Sequence, residues 1–169
     1  IVDGLESGIN KDYTSGDDIL FDPAGIYDFF YGGRGLGKLT GGVDKEFFYG
    51  GSGNDTFIFN IGDGQDTIGG DVSTDQLVFG AGIYKEDIQL ISDYTNNQSL
   101  IIKIGSNGDQ INLNKFFGAV DSTYKLGSLK FADGSIIDLL NGISLQGANI
   151  AGETLQGTMH NDFLTGNIG

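Results

Sequence analysis

The chain of 169 residues contains no cysteine and only one histidine, His160. Without cysteine it can form no disulfide, no zinc-thiolate site and no thiol nucleophile. A single histidine cannot supply the H-E-x-x-H zinc motif, and no G-x-S-x-G nucleophile elbow occurs. Several common catalytic centres are therefore excluded, and an enzyme is the weakest interpretation of the chain.

Basic residues and long apolar runs are also scarce. Nine Lys and Arg stand against 23 Asp and Glu, which gives a formal net charge of −14. This charge argues against nucleic acid or an anionic membrane as a partner and favours cations. No apolar run is long enough to span a bilayer, and no signal peptide opens the chain. Because the sequence starts without methionine and stops inside a repeat, we expect a fragment of a longer protein.

Proline occurs once, whereas glycine occurs 30 times, and the glycines are arranged in a pattern. Residues 50–58, GGSGNDTFI, match in full the motif G-G-x-G-x-D-x-U-x, in which U is a large apolar residue. This motif is typical of a calcium-binding parallel β-roll. Its glycines allow a tight turn, its Asp at position six offers a hard oxygen ligand, and its apolar residue at position eight fills the core.

The motif recurs at a period of nine residues, with losses. Residues 41–49 and 32–40 keep the paired glycines, but position six is Glu46 in the first repeat and Gly37 in the second. After two extra residues the pattern resumes with Asp66 at position six. The residues predicted to face inward at position eight are Leu20, Phe30, Leu39, Phe48, Phe57 and Ile68. Independent loops would rarely produce that run of large apolar residues.

The predicted fold is all-β: a right-handed parallel β-roll of nonapeptide repeats, capped by a mainly antiparallel β unit. Residues 1–69 are predicted to form a degenerate roll block, with one residue of slippage before Pro23. Residues 70–142 form the flanking or capping domain, and residues 143–169 start a second repeat block. Predicted strands of the cap are 76–79, 87–91, 100–104, 110–113, 129–131 and 136–139. The cap is expected to cover the open end of the roll, which would otherwise expose apolar surface and unpaired edges.

Calcium sites can be predicted from the spacing of the turns. In a two-sided roll one coil is two nonapeptides, so every second turn lies on the same side, and a cation sits between two such turns. The two-residue insertion lengthens this spacing, which pairs Glu46 with Asp66 and Asp55 with Asp75. Asp28 is a lesser candidate. Predicted carbonyl ligands are Gly42, Gly51, Gly53, Gly62 and Gly64. The alternative for each acid is an Asx turn or a solvated surface charge.

The chain resembles the RTX, or haemolysin-type calcium-binding, repeat proteins. The residues that carry the resemblance are 50–58 (GGSGNDTFI), 62–68 (GDGQDTI), 74–80 (TDQLVFG), 86–88 (EDI), 99–104 (SLIIKI), 108–111 (GDQI), 116–117 (FF) and 129–134 (LKFADG). The resemblance implies bacterial export through a type I secretion apparatus. It also implies a chain that is unfolded in the low-calcium cytosol and folds outside the cell or at its surface, with Ca²⁺ as its cofactor.

Two functions of different classes follow for the chain. The first is a non-enzymatic module that couples Ca²⁺ binding to folding within a larger secreted toxin, adhesin or exoenzyme. The second is binding of an extracellular glycan or protein ligand by the cap. Its stacking surface would consist of Tyr84, Tyr94, Phe116, Phe117 and Tyr124. Aromatic residues at such spacings more often build a core, which favours the first function.

Overall fold

The computed structural model describes residues 10–11, 16–17, 19–21, 29–70, 72, 74–93, 98–117, 126–147 and 163–165. Four residues named in the sequence analysis lie outside these ranges. They are the candidate ligand Asp28, the lone His160, and the aromatic residues Tyr94 and Tyr124.

Short strands account for the regular structure of the described residues. In chain order they are β1 (Asn10–Lys11), β2 (Ile19–Phe21), β3 (Phe29–Tyr31), β4 (Arg34–Gly35), β5 (Lys38–Thr40), β6 (Phe47–Tyr49), β7 (Ser52–Gly53), β8 (Thr56–Phe59), β9 (Gln65–Gly69), β10 (Gln76–Phe79), β11 (Ile88–Asp93), β12 (Ser99–Ile104), β13 (Asp109–Leu113), β14 (Ser128–Lys130), β15 (Ile136–Asp138), β16 (Ser144–Gly147) and β17 (Phe163–Thr165). A 3-10 turn, Lys85–Asp87, precedes β11. No helix among the described residues is long and apolar enough to cross a membrane.

The strands form two large sheets. One has the order β1-β3-β6-β9-β13-β12-β11-β16-β17, the other has the order β15-β14-β10-β8-β5-β2, and β4 pairs with β7 in a short ladder of its own. From β2 to β10 successive long strands alternate between the two sheets, and all their pairings are parallel. This alternation confirms the predicted all-β fold of the β-roll type.

The register follows the spacing of the repeats. Phe29 pairs with Phe47, which lies two nonapeptides later in the chain. Phe47 in turn pairs with Thr67, so this coil is longer by the two inserted residues. The insertion therefore lengthens one coil without changing which positions face each other. The earlier slippage has the same effect, because Leu20 pairs with Leu39 across a coil that is longer by one residue.

The core lies between the two sheets. All six residues predicted to face inward are buried, with exposed fractions between 0% and 3%. Phe30 stacks on Phe48 with ring centroids 5.0 Å apart, and Phe48 meets Phe57 edge-to-face at 6.0 Å. Each such ring contributes roughly 1.5–3 kcal/mol through burial alone. One column of rings therefore ties neighbouring coils and both sheets together.

The strands after residue 70 extend both sheets and cover the end of the roll. Strand β10 pairs in parallel with β8 and β14, and β13 pairs in parallel with β9. The hairpins β11-β12-β13 and β14-β15 are antiparallel. Since both sheets run unbroken from roll to cap, the divisions at 69/70 and 142/143 stay predictions.

The predicted strands of the cap are present, with small shifts at their ends. The strand predicted from Asp87 begins at Ile88, because Asp87 belongs to the 3-10 turn and donates its N–H to the carbonyl of Tyr84. Beyond the cap, β16 joins β11 and β17 joins β16, both in parallel. The first sheet thus continues into the region predicted to restart the repeats.

The turns bring the backbones of neighbouring coils into contact. Gly51 and Gly53 adopt φ values of +98° and +144°, which side chains disfavour. Between them, Ser52 donates its N–H to the carbonyl of Gly33 at 2.9 Å. A Cβ on Gly51 would collide with that carbonyl, and one on Gly53 would collide with the carbonyl of Gly35. Both the backbone conformation and the closeness of the coils therefore require glycine here.

The substitution Gly51→Ala should destabilise the protein more than Gly134→Ala. The two glycines have similar positive φ values, +98° and +86°, so the backbone strain of about 1–2 kcal/mol is shared. A Cβ at Gly134 meets nothing within 4 Å, whereas at Gly51 it meets the neighbouring coil. Urea unfolding at one fixed calcium concentration measures the difference. Equal losses would contradict the close approach of the coils.

Candidate metal site

The acids predicted to bind metal in the best-preserved turns are buried. Their exposed fractions are 1% for Glu46, 2% for Asp55, 3% for Asp66 and 2% for Asp75. Ionisable side chains are almost never fully buried unless a partner compensates the lost hydration. The alternative of a solvated surface charge is therefore wrong for these four residues.

Each of three aspartates binds the backbone of the preceding turn on its own side of the roll. Asp55 Oδ1 accepts the N–H of Gly37 at 2.7 Å, and Asp75 Oδ1 accepts the N–H of Asp55 at 2.8 Å. On the opposite side, Asp66 Oδ1 accepts the N–H of Glu46 at 3.1 Å. The structure thus brings together both predicted couples.

Other carboxylate oxygens face the glycine at position one of the turn. A Cβ built on Gly50 would collide with Asp55 Oδ2 and would lie 2.9 Å from Asp75 Oδ2. On the opposite side, a Cβ on Gly41 would lie 2.6 Å from Glu46 Oε2. Asp55 Oδ2 is inaccessible to solvent and accepts no hydrogen bond from the described residues. Oxygens from two coils converge on a small space that exists because position one is glycine.

This arrangement suits a hard divalent cation. A buried polar atom without a partner destabilises a fold by about 1–3 kcal/mol, and a charged one by more. Ca²⁺ satisfies such oxygens at about 2.3–2.6 Å and takes about 6–8 of them. Asp55 and Asp75 therefore fit the ion. No group of three or more His, Cys, Asp or Glu side chains among the described residues could hold a metal, so backbone carbonyls would have to complete the coordination.

The predicted carbonyl ligands belong to these same turns. They are Gly42, Gly51, Gly53, Gly62 and Gly64. The carbonyl of Gly53 accepts the Thr74 hydroxyl at 2.6 Å, and that of Gly64 accepts the N–H of Gln110 at 2.9 Å. A carbonyl oxygen has two lone pairs, so these bonds leave capacity for a cation. The roles of the five glycines as ligands stay predictions.

Burial raises the pKa of the carboxyl groups in these turns. The pKa of Asp55 is raised by burial, against the opposing effect of the hydrogen bond from Gly37. Burial is also the largest cause for Asp66, whose pKa is raised further by a hydrogen bond between its side chain and that of Glu46 and by the negative charge of that neighbour, against the lowering effect of the Glu46 N–H. The pKa of Asp63 is raised mainly by burial as well. Without a cation, the fold therefore favours protonated acids.

Two buried carboxylates were not predicted as site residues. Asp63 Oδ2 accepts the backbone N–H of Asn60 at 2.8 Å, in a turn whose three-residue spacing could have been recognised. Asp109 Oδ2 accepts the N–H of Gly62 at 2.7 Å, from a strand far along the chain. No periodic pattern connects these last two positions.

A polar groove borders the Asp55–Asp75 couple. Its volume is about 390 Å³, and its lining also includes Ser128 and Asp138 from the cap. Since a metal site needs an entry path, this groove is the side from which a cation would approach the buried couple.

Only part of the predicted aromatic surface of the cap is exposed for stacking on a ligand. Phe116 is fully buried and packs edge-to-face on Phe117 at 5.0 Å, so it cannot stack on a ligand and belongs to the core. Tyr84 is 45% exposed. Ligand binding by the cap stays a prediction, without Phe116 as a contributor.

Comparison with known proteins identifies part of the cap. Residues 100–139 match the family model of the haemolysin-type calcium binding protein related domain. A search of curated proteins found no match to the chain. The matched segment contains β13 to β15 and all of β12 except Ser99, the strands that close the roll beside the buried acids. This match agrees with the predicted relationship to the haemolysin-type calcium-binding proteins over residues 100–139.

Calcium-free protein should lose stability as the pH rises above about 4, the ordinary range of carboxyl groups. Burial raises the folded-state pKa values of Asp55, Asp63 and Asp66. Between the ordinary and the raised values the folded chain binds more protons than the unfolded chain, so ionisation opposes folding. This contribution to stability is complete below the ordinary pKa and is lost as the pH rises through the raised values. In EGTA, the melting temperature should fall as the pH is raised from about 4 to about 8.

The substitution Asp66→Asn tests the cause, because it removes the titrating group and keeps an acceptor for the Glu46 N–H. The melting temperature of this variant should fall less steeply with rising pH than that of the parent. The variant should also be more stable than the parent in EGTA at about pH 7. Asp133→Asn is the matched control, since Asp133 is exposed and its turn hydrogen bond lowers rather than raises its pKa. The same slope for Asp66→Asn and the parent would refute the role of the buried acid.

Proposed function

We propose that the chain is a calcium-binding RTX module of a larger, type I-secreted bacterial protein, in which Ca²⁺ binding drives folding outside the cell. The observation that supports this most directly is the convergence of Asp55 Oδ2 and Asp75 Oδ2 on Gly50. Asp55 Oδ2 is buried and accepts no hydrogen bond from the described residues. A cation bound between the two turns would compensate the negative charge of this oxygen.

Two couples would hold cations: Asp55 with Asp75, and Glu46 with Asp66. In each couple the two acids come from successive coils on one side of the roll. A cation therefore bridges segments that are a full coil apart in sequence. Asp28 lies one coil before Glu46 in the sequence and would add a third acid to the Glu46–Asp66 side of the roll.

Binding energy becomes folding energy in such a module. The unfolded chain has no preformed site, because each couple exists only when two coils are stacked. At a calcium concentration about 100 times the dissociation constant, one site adds about 2.7 kcal/mol to the stability of the fold. Two sites at the same end of the roll would stabilise adjacent coils together.

This energetic scheme accounts for the proposed route of export. With little calcium, burial opposes ionisation of the acids, and a net charge of −14 favours an extended chain. With abundant calcium, the same acids become ligands and the coils close. The family match at residues 100–139 supports secretion and calcium-dependent folding as the context of this chemistry.

We further propose that the module has no catalytic role of its own. The buried acids bind the backbone of neighbouring turns, which holds them in the wall of the roll. Paired catalytic carboxylates would instead have to be exposed to a cleft that admits substrate, whereas Asp55 and Asp75 are buried beside their groove. The activity of the parent protein then resides in other segments.

Calcium should convert the chain from a weakly folded to a stable state. In EGTA we expect little β signal in circular dichroism and a low melting temperature, and in about 1–10 mM CaCl₂ a β spectrum and a large rise in melting temperature. An identical spectrum and melting temperature in both conditions would contradict the proposal.

Paired substitutions locate the effect. The double variant Asp55→Asn with Asp75→Asn should bind fewer calcium ions in isothermal titration calorimetry and should gain less stability from calcium. The control is Glu86→Gln with Asp133→Asn, which removes the same charge from exposed positions. If the control lost as much calcium binding as the test pair, general charge rather than these sites would be responsible.

A further inference from the structure

Asp109 of the cap makes a long-range contact with a calcium-site turn. Its Oδ2 accepts the backbone N–H of Gly62 at 2.7 Å, although the two residues are 47 positions apart. Asp109 is only 6% exposed. A buried carboxylate that accepts a backbone N–H makes a strong, charge-assisted hydrogen bond. The turn at residues 60–66, which carries Asp66, is therefore held from the cap side.

The sheet explains why this turn needs such a contact. Elsewhere in the roll an aspartate of the following coil binds the turn: Asp75 binds Asp55, and Asp66 binds Glu46. Beyond Asp66 this series of aspartates stops. The residue of β13 in register with Asp66 is the buried Ile111. Asp109, two residues before Ile111, occupies the start of the same strand and binds the turn through Gly62 instead.

The carboxylate of Asp109 is itself fixed in place. Asn107 Nδ2 donates a second hydrogen bond to Asp109 Oδ2 at 2.7 Å, and Asn107 Oδ1 accepts the Asp109 N–H at 3.3 Å. On the same edge, Gln110 donates its N–H to the carbonyl of Gly64 at 2.9 Å. The turn is thus bound at Gly62 and at Gly64 by consecutive residues of the cap.

We infer that Asp109 is a positioning residue for the Glu46–Asp66 calcium site: it holds the last turn of the roll in the conformation in which Asp66 meets Glu46. This inference rests on the proposed calcium-binding function. The role assigned to Asp109 is carried by its hydrogen bond to Gly62, which its Oδ2 makes together with the hydrogen bond from Asn107. The cap therefore contributes to a metal site whose ligands all lie outside it.

The test isolates one site in the full chain. In the background Asp55→Asn with Asp75→Asn, the Glu46–Asp66 site remains, and its dissociation constant for Ca²⁺ is measured by isothermal titration calorimetry. Adding Asp109→Ala should raise that constant about 10-fold to 100-fold, as the loss of a partner that orients a ligand typically does. Adding Asp109→Asn should rescue the affinity, because the amide oxygen can accept the Gly62 N–H.

The reciprocal background separates positioning from general stability. With Glu46→Gln and Asp66→Asn, the Asp55–Asp75 site remains, and Asp109→Ala should leave its calcium affinity unchanged. Asp133→Ala is the matched control in both backgrounds, since Asp133 Oδ1 accepts an N–H only two residues away, from Ser135 at 2.8 Å.

Each outcome decides the matter. Selective weakening by Asp109→Ala with rescue by Asp109→Asn supports the inference. Equal weakening by both variants would show that Asp109 acts through its charge, and unchanged affinity would show that it does not act at all; either result overturns the inference alone. If the unmodified chain binds no calcium, the proposed function fails and this inference fails with it.

A folding defect does not leave the inference untested. If Asp109→Ala does not fold in calcium, Asn107→Ala replaces it, because the exposed Asn107 orients the same oxygen. It should weaken the Glu46–Asp66 site and spare the other. Unchanged affinity in this variant would overturn the inference.

Discussion

The contact on which the rest of the structure depends is the hydrogen bond from a backbone N–H of one turn to a carboxylate one coil later. Asp66 binds Glu46 and Asp75 binds Asp55 in this way, in buried surroundings. Such bonds fix coil on coil with position six over position six. Position eight is then also aligned, so Phe48 lies beside Ile68 and Phe57 beside Leu77. The same strand register therefore aligns both the buried apolar residues at position eight and the acids at position six.

That register also creates the main electrostatic conflict of the fold. Neighbouring strands lie about 4.8 Å apart, and two full charges about 4 Å apart repel by about 4 kcal/mol at an effective dielectric constant of about 20. Burial raises the pKa values of Asp55 and Asp66, and the negative charge of Glu46 raises that of Asp66 further. Only protonation or a cation removes the conflict. The raised pKa values and the proposed calcium sites are therefore two consequences of one arrangement.

Features that depend on the repeat period could be predicted from the sequence. The six inward residues and the two carboxylate couples follow from a spacing of nine and an insertion of two, because the strand ladder preserves register. Features that depend on contacts between distant segments could not. Asp109 reaches Gly62 only because β13 is placed beside β9 in the sheet. Phe116 was a candidate for ligand binding, yet the packing of the cap encloses it completely.

The position of the acids along the roll explains why the matched cap lies where it does. Both rows of turn carboxylates end at the cap, since Ile111 follows Asp66 in register and Gly127 donates its N–H to the carbonyl of Asp75. The cap therefore continues the backbone ladder without adding a further acid at position six. A further charge at the cap end of either row would need another cation, whereas an apolar residue or a glycine needs none. The cap thus covers the apolar core and places no acid at position six, and its buried Asp109 stands at the start of β13 instead.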